Sequence, residues 1–166
     1  MSATSLQPDI TARFAREVAK YPPEQKVSAV IACLAILQQQ HGWVSPESER
    51  IVAKALDMPP IAVHEVTTFY NMFNQQPVGA VKLNVCTNLP CQLRGGQHAL
   101  EHLCATLGVD EGGSTADGAF TVQKAECLGA CADAPVLLVN DRKMVSFMSD
   151  ARLDELVSSL RGGAAA

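Results

Sequence analysis

The chain lacks an apolar run long enough to span a bilayer as a helix, which takes about 20 consecutive apolar residues. Its opening stretch, M-S-A-T-S-L-Q-P-D-I-T-A-R-F, lacks the apolar segment of a secretory signal. The expectation is therefore a cytoplasmic chain in a reducing compartment. There, six cysteines serve as ligands or core residues rather than disulfide partners. Positive charge is also scarce. Thirteen Lys and Arg stand against seventeen Asp and Glu, a formal net charge of −4, so no basic face for nucleic acid is expected. The glycines form no nucleotide fingerprint: Gly95-Gly96 and Gly112-Gly113 are isolated pairs, and neither sits in a G-x-G-x-x-G or P-loop pattern. Internal repeats are absent, and low complexity is confined to the terminal G-G-A-A-A.

What remains is an ordinary globular composition of 48% apolar and 18% charged residues over 166 positions, enough for one domain or two small ones. The first half reads as helices. Ile10, Phe14 and Val18 have helical spacing up to the stop at Tyr21-Pro22-Pro23. A second helix is expected from about Gln25 to Gln40 with the stripe Val27, Val30, Ile31, Leu34 and Leu37, broken at Gly42. Ser45-Pro46 is a cap followed by a first-turn proline, and Ile51, Val52, Ala55 and Leu56 are expected to face one way. A fourth helix from Pro59-Pro60 would carry Val63, Val66, Tyr70 and Phe73.

The period changes near Pro77-Val78-Gly79. Val81, Leu83 and Val85 alternate as a strand that runs into Cys86. A helix with Leu100, Leu103, Cys104 and Leu107 on one face ends at Gly108. A short strand over Phe120-Thr121-Val122 then delivers the chain to Cys127. Pro135 to Asn140 reads as a buried strand, Lys143 to Met148 as its hairpin partner, and Leu153, Leu156, Val157 and Leu160 as a last helix. The order is β-α-β-β-β-α, or β-α-β-β-α if the short middle strand is not separate. The fold class is α+β, with an N-terminal helical bundle or arm over residues 1–78 and a small sheet domain over 79–166.

Chemistry concentrates in two cysteine pairs. V-C-T-N-L-P-C places Cys86 and Cys91 in a C-x4-C spacing, and E-C-L-G-A-C places Cys127 and Cys131 in C-x3-C. Brought together, they make a four-thiolate site, and soft sulfur ligands select zinc, copper(I) or iron–sulfur clusters. Structural zinc usually takes tight C-x2-C knuckles around one ion. A 2Fe-2S cluster has two irons, each needing two cysteines, so two wider loops suit it better. Small or apolar Leu128, Gly129 and Ala130 would let the backbone approach sulfides. Spacing alone favours iron–sulfur and leaves a structural zinc module, or core and redox cysteines, as alternatives.

The phrases H-G-W-V-S-P-E (41–47), V-T-T-F-Y-N-M-F-N (66–74), P-V-G (77–79), V-C-T-N-L-P-C, T-A-D-G-A-F-T and E-C-L-G-A-C-A-D-A-P-V-L-L-V-N occur in that order. Together they resemble the thioredoxin-like 2Fe-2S subunit of bacterial NADH:quinone oxidoreductase, the E subunit of respiratory complex I, from about residue 10 to 160. Equivalent subunits of NAD-reducing hydrogenases and NAD-dependent formate dehydrogenases share most of these phrases. The resemblance implies a thioredoxin-like ferredoxin domain behind a helical region, with Cys86, Cys91, Cys127 and Cys131 holding one 2Fe-2S cluster. It further implies one-electron exchange with the flavin mononucleotide (FMN) of a neighbouring NADH-binding subunit. Other iron–sulfur subunits would complete the complex, in a peripheral arm on the cytoplasmic side of the inner membrane. NADH and flavin would bind elsewhere, so no catalytic residue is expected in this chain.

Other chemistry-bearing residues have plainer readings. Cys33 and Cys104 lie on apolar helix faces and are expected in the core. His98 and His102 have the i, i+4 spacing of a zinc pair but no third ligand nearby, and are read as surface or structural residues. His41 is read as a helix-end cap, His64 as facing solvent or a neighbouring helix, and Phe69, Tyr70 and Phe73 as core or subunit contact. Pro135 stands where thioredoxin-like folds often place a cis-proline.

Overall fold

The structure, a computed structural model, describes residues 8–162. The chain divides into two compact units, with the division between Pro77 and Val78.

The first unit is helical. Helix α1 (Pro8–Val18) buries Ile10 and Phe14 one turn apart, with Asp9 in its first turn, where a carboxylate suits the helix dipole. The expected helix from Gln25 is instead a 3-10 segment, Pro23–Ala29, followed by α2 (Val30–His41). Gln25 departs from helical geometry (φ −115°, ψ 19°) just after Pro22-Pro23. The α-ladder therefore starts late, and Val27 is 42% exposed rather than in the stripe. Helix α2 ends at Gly42, whose φ of 79° suits glycine at a helix end. The side chain of Ser45 accepts from the Ser48 N–H at the start of α3 (Pro46–Leu56). Val52 and Leu56 are buried and Ile51 packs against the core as expected, whereas Ala55 is exposed and Ala53 is buried in its place. Helix α4 (Pro60–Phe69) stops where Tyr70 turns extended. Phe73 reaches the core through the following loop, which Gln38 and Asn74 hold to the end of α2. Cys33, Leu34, Leu37, Leu56 and Val63 are fully buried among these helices.

The second unit follows the β-α-β-β-β-α order. Strand β1 (Val81–Cys86) is followed by a short helix α5 (Leu89–Leu93) and by α6 (Gly96–Leu107). Next come β2 (Phe120–Ala125), β3 (Leu137–Val139), β4 (Lys143–Val145) and α7 (Asp150–Gly162). The sheet order is β2-β1-β3-β4. Strands β1 and β2 are parallel, with Cys86 opposite Ala125. The β1/β3 and β3/β4 pairs are antiparallel. Leu83, Val85, Leu100, Leu103, Phe120 and Leu153 form the core between sheet and helices. At the β3–β4 reversal Asn140 and Asp141 are both left-handed (φ 51° and 55°), a conformation these two residue types tolerate. Central β1 is buried on both faces, Lys82 included. The Lys82 ammonium meets the Asp141 carboxylate at 2.6 Å. The Ala134–Pro135 peptide is cis.

Candidate metal centre

Cys86 is the last residue of β1, and its N–H donates to the Val136 carbonyl at 3.1 Å. Thr87 extends the pairing with a 3.1 Å bond to the Ala125 carbonyl. Asn88 then caps α5, accepting from the Leu89 N–H, and α5 carries Cys91 on its inward side between exposed Leu89 and Leu93. This one-turn helix was not expected. Its signal was local: Asn88 at the cap and Pro90 in the first turn. Parallel β2 delivers the second pair to the same sheet end, Cys127 lying two residues beyond the end of β2. Cys131 opens a 3-10 turn to Asp133, which the Phe147 N–H fixes through the Asp133 carbonyl at 2.9 Å. Asn88 also donates from Nδ2 to the Glu126 carboxylate at 2.9 Å, tying the first cysteine loop to the second.

The Cys127 and Cys131 sulfurs lie 3.6 Å apart, and the Cys91 thiol senses its neighbour Cys86. The two pairs differ in environment. Cys86 and Cys91 are buried at 2% and 1% exposure and pack with Ala134 and Val136, flanked by Leu128 and Ala130. Cys127 and Cys131 are exposed. Burial pushes the Cys91 thiol up, a bond from the Val136 backbone N–H opposes it, and neighbouring Cys86 and Cys131 push it further up. Cys131 is raised first by its hydrogen bond to Cys127, then by desolvation and by the charge of Cys127 and Cys86. Cys91 and Cys131 each sense thiols of both pairs, so the four sulfurs share one electrostatic neighbourhood. An all-sulfur donor set within an apolar wall fits a soft, thiolate-bound metal centre. Among the described residues, no group of three or more His, Cys, Asp or Glu side chains is arranged to hold a single ion, and the thiols stand as two pairs.

The remaining candidates lie apart from this cluster. Cys33 is fully buried and pushed up to about 11 by burial, with Glu17 adding to the shift. Cys104 is half-buried and packs against the core of the second unit, and it too is raised, first by burial and then by Glu111 and Asp110. His98 and His102 meet Asp150 and Asp154 of α7 at 3.0 and 2.8 Å, a structural use of the i, i+4 spacing. His64 contacts Glu49 of the neighbouring helix at 3.0 Å. Phe73 is core, whereas Phe69 is 79% exposed and meets Tyr70 edge-on. An open depression of about 570 Å³ is bordered by Arg94, His98, Pro135 and Phe147, and none of the four cysteines lines it. No helix among the described residues is long and apolar enough to cross a membrane.

Comparison with known proteins matches residues 14–161 to the family described as Thioredoxin-like [2Fe-2S] ferredoxin. The chain is similar to NADH-quinone oxidoreductase subunit 2 of Thermus thermophilus, 41% identical over 145 residues, which cover 87% of this chain and 80% of that one. The E subunit of the Rickettsia prowazekii NADH-quinone oxidoreductase is 38% identical over 141 residues, 84% of this chain and 79% of that one. Among solved structures, an NAD+-reducing [NiFe]-hydrogenase in the H2-reduced state superposes with a TM-score of 0.67 at 25% identity over 78% of this chain. The chain spans about a fifth (22%) of the hydrogenase chain it matches.

Proposed function

The chain belongs to the thioredoxin-like 2Fe-2S ferredoxin family, and on that premise we propose that it is the electron-transfer subunit of an NADH-quinone oxidoreductase. Cys86, Cys91, Cys127 and Cys131 are its proposed cluster ligands. The observation that carries the reading is the meeting of two thiol pairs at the shared end of parallel β1 and β2, within one all-sulfur neighbourhood. A bound 2Fe-2S cluster supplies single-electron exchange. The chain's own residues hold and screen the site. Cys86 and Cys91 form its buried wall, Leu128 and Ala130 cover it, and the Val136 N–H directs a dipole at the Cys91 sulfur, which favours negative charge there. Exposed Cys127 and Cys131 form the side through which an electron partner has access.

The partner in this reading is an FMN- and NADH-binding subunit of the same complex, with further iron–sulfur subunits beyond it, in a peripheral arm on the cytoplasmic side. Identity of 38–41% over roughly four-fifths of the NADH-quinone oxidoreductase subunits favours this complex. The hydrogenase likeness is lower and covers a fifth of that chain. Purified chain should be brown, carry two irons and two acid-labile sulfides, and bleach on dithionite reduction. A colourless chain with one zinc would replace the reading with a structural zinc module. Co-purification from the native host of a flavin-containing partner tests the subunit assignment, and isolation as a free monomer would defeat it.

A further inference from the structure

We propose that Gly96 is a positioning residue that sets the separation of the first thiol pair; the inference rests on the reading of Cys86 and Cys91 as cluster ligands. Gly96 is buried at the first turn of α6, just after Gly95 reverses the chain with φ 91°. A Cβ added at Gly96 would stand 2.6 Å from the Cys86 carbonyl oxygen and 2.9 Å from both the carbonyl carbon and oxygen of Cys91. These neighbours are backbone atoms, which have no flexible end to swing away. They belong to the two thiol-bearing residues themselves. The start of α6 is thus wedged against Cys86 and Cys91 at once, and only a residue without a side chain permits that approach.

The wedge touches two residues that are held by separate elements. Cys86 is held by strand pairing and Cys91 by a one-turn helix, and they belong to different elements. The Arg94 N–H closes α5 onto the Cys91 carbonyl at 3.0 Å, and the chain then turns directly into Gly96. Any side chain at position 96 must push Cys86 and Cys91 apart or drive α6 off both. Ligand positions tolerate displacements of only about half an ångström before a site is compromised.

Gly79 supplies a matched control within the same unit. A Cβ there would also meet backbone at 2.6 Å, the Phe120 carbonyl carbon, but just before the start of β1, at the other end of the strand from Cys86. Gly96→Ala and Gly79→Ala should therefore both lower the melting temperature of the full-length chain. Only Gly96→Ala should at least halve the iron retained per chain and move the electron paramagnetic resonance g-values of the dithionite-reduced protein. A second arm needs no cluster. In cluster-free folded chain, iodoacetamide should label Cys91 at least ten-fold faster in Gly96→Ala than in wild type or Gly79→Ala. Wild-type g-values, iron content and Cys91 labelling in Gly96→Ala overturn the proposal. Equal changes in both variants overturn it as well, because they would reflect general destabilisation. Loss of the Gly96→Ala far-ultraviolet circular dichroism also overturns it, assigning the residue to folding. Wild-type chain that binds no 2Fe-2S cluster defeats the proposed function instead, and the labelling arm still decides the placement of Cys91.

Discussion

The Lys82 ammonium lies 2.6 Å from the Asp141 carboxylate, with the lysine side chain 4% exposed and the aspartate 34% exposed. The pair joins the central strand to the β3–β4 turn, where the Asn140 side chain also accepts from the Lys82 N–H at 2.7 Å. The burial is lopsided, and so are the expected costs. Asp141→Asn keeps the shape and the tolerance for left-handed backbone but removes the counter-charge beside a buried cation. It should cost about 1–3 kcal/mol, below the full value for a completely buried pair. Lys82→Met removes the buried charge and leaves a carboxylate that water can reach, so it should cost less. Urea unfolding of the two variants tests this. A neutral Asp141→Asn, or a Lys82→Met that is the worse of the two, would contradict it.

The two thiol pairs should label in sequence. In cluster-free folded chain, exposed Cys127 and Cys131 are expected to react first with iodoacetamide near pH 8. Buried Cys86, Cys91 and Cys33 should lag by roughly ten-fold or more. Cys33 should be slowest, since burial raises its thiol to about 11 and leaves little thiolate at that pH. Peptide mapping after timed quenching reads the order, and early modification of Cys33 would show that the first helical unit opens readily.

Asp150 gives a signed dependence on pH. Its hydrogen bond to His98 holds its carboxyl below the ordinary 3.8, aided by the charge of His98 and His102. A depressed folded value contributes stability that is fully present above 3.8 and is lost as pH falls through the depressed value. Asp150→Asn should therefore flatten the acid limb of the melting curve below about pH 4 relative to wild type. Parallel acid limbs would remove Asp150 from the account.

Helix α3 begins on a side-chain cap, the Ser45 oxygen accepting from the Ser48 N–H at 3.1 Å. Ser45→Ala should lower the stability of the helical unit by about 1 kcal/mol, while Ser45→Asp should stay within a few tenths. Thermal melts of the two variants side by side provide the check, and equal losses would point to packing at position 45.

Local signals in the chain were readable where they act locally. The alternation of Val81, Leu83 and Val85 and the stops at Gly42 and Gly108 depend on neighbours in sequence, and each matches the structure. Departures from a helical period and features set by distant contacts were not readable. Val27 keeps a helical spacing on paper, yet Gln25 breaks the ladder that would have turned it inward. Tyr70 continues the apolar rhythm of α4 but already lies outside the helix. Leu89–Leu93 is too short for a period to appear. Nothing in the sequence announces that Lys82 lies inside the core, because its partner sits 59 positions away in a turn. At the candidate site the four cysteines were legible as pairs. The Asn88–Glu126 tie, the Val136 contacts and the wedge at Gly96 depend on three-dimensional proximity alone.

The parallel run of β1 and β2 has a consequence for how this architecture tolerates change. Both strands leave the sheet at the same end, so the two thiol pairs arrive together however long the connection between them is. Insertions at 108–111, ahead of the 112–115 stretch that hydrogen-bonds to β2, would lengthen the return path and spare the meeting point, at a loop-closure cost that grows only slowly with length. A fixed distance between the pairs is therefore a poor signature of descent. The geometrically constrained quantities are the four-residue and three-residue gaps within the pairs, where one added residue would turn a sulfur away.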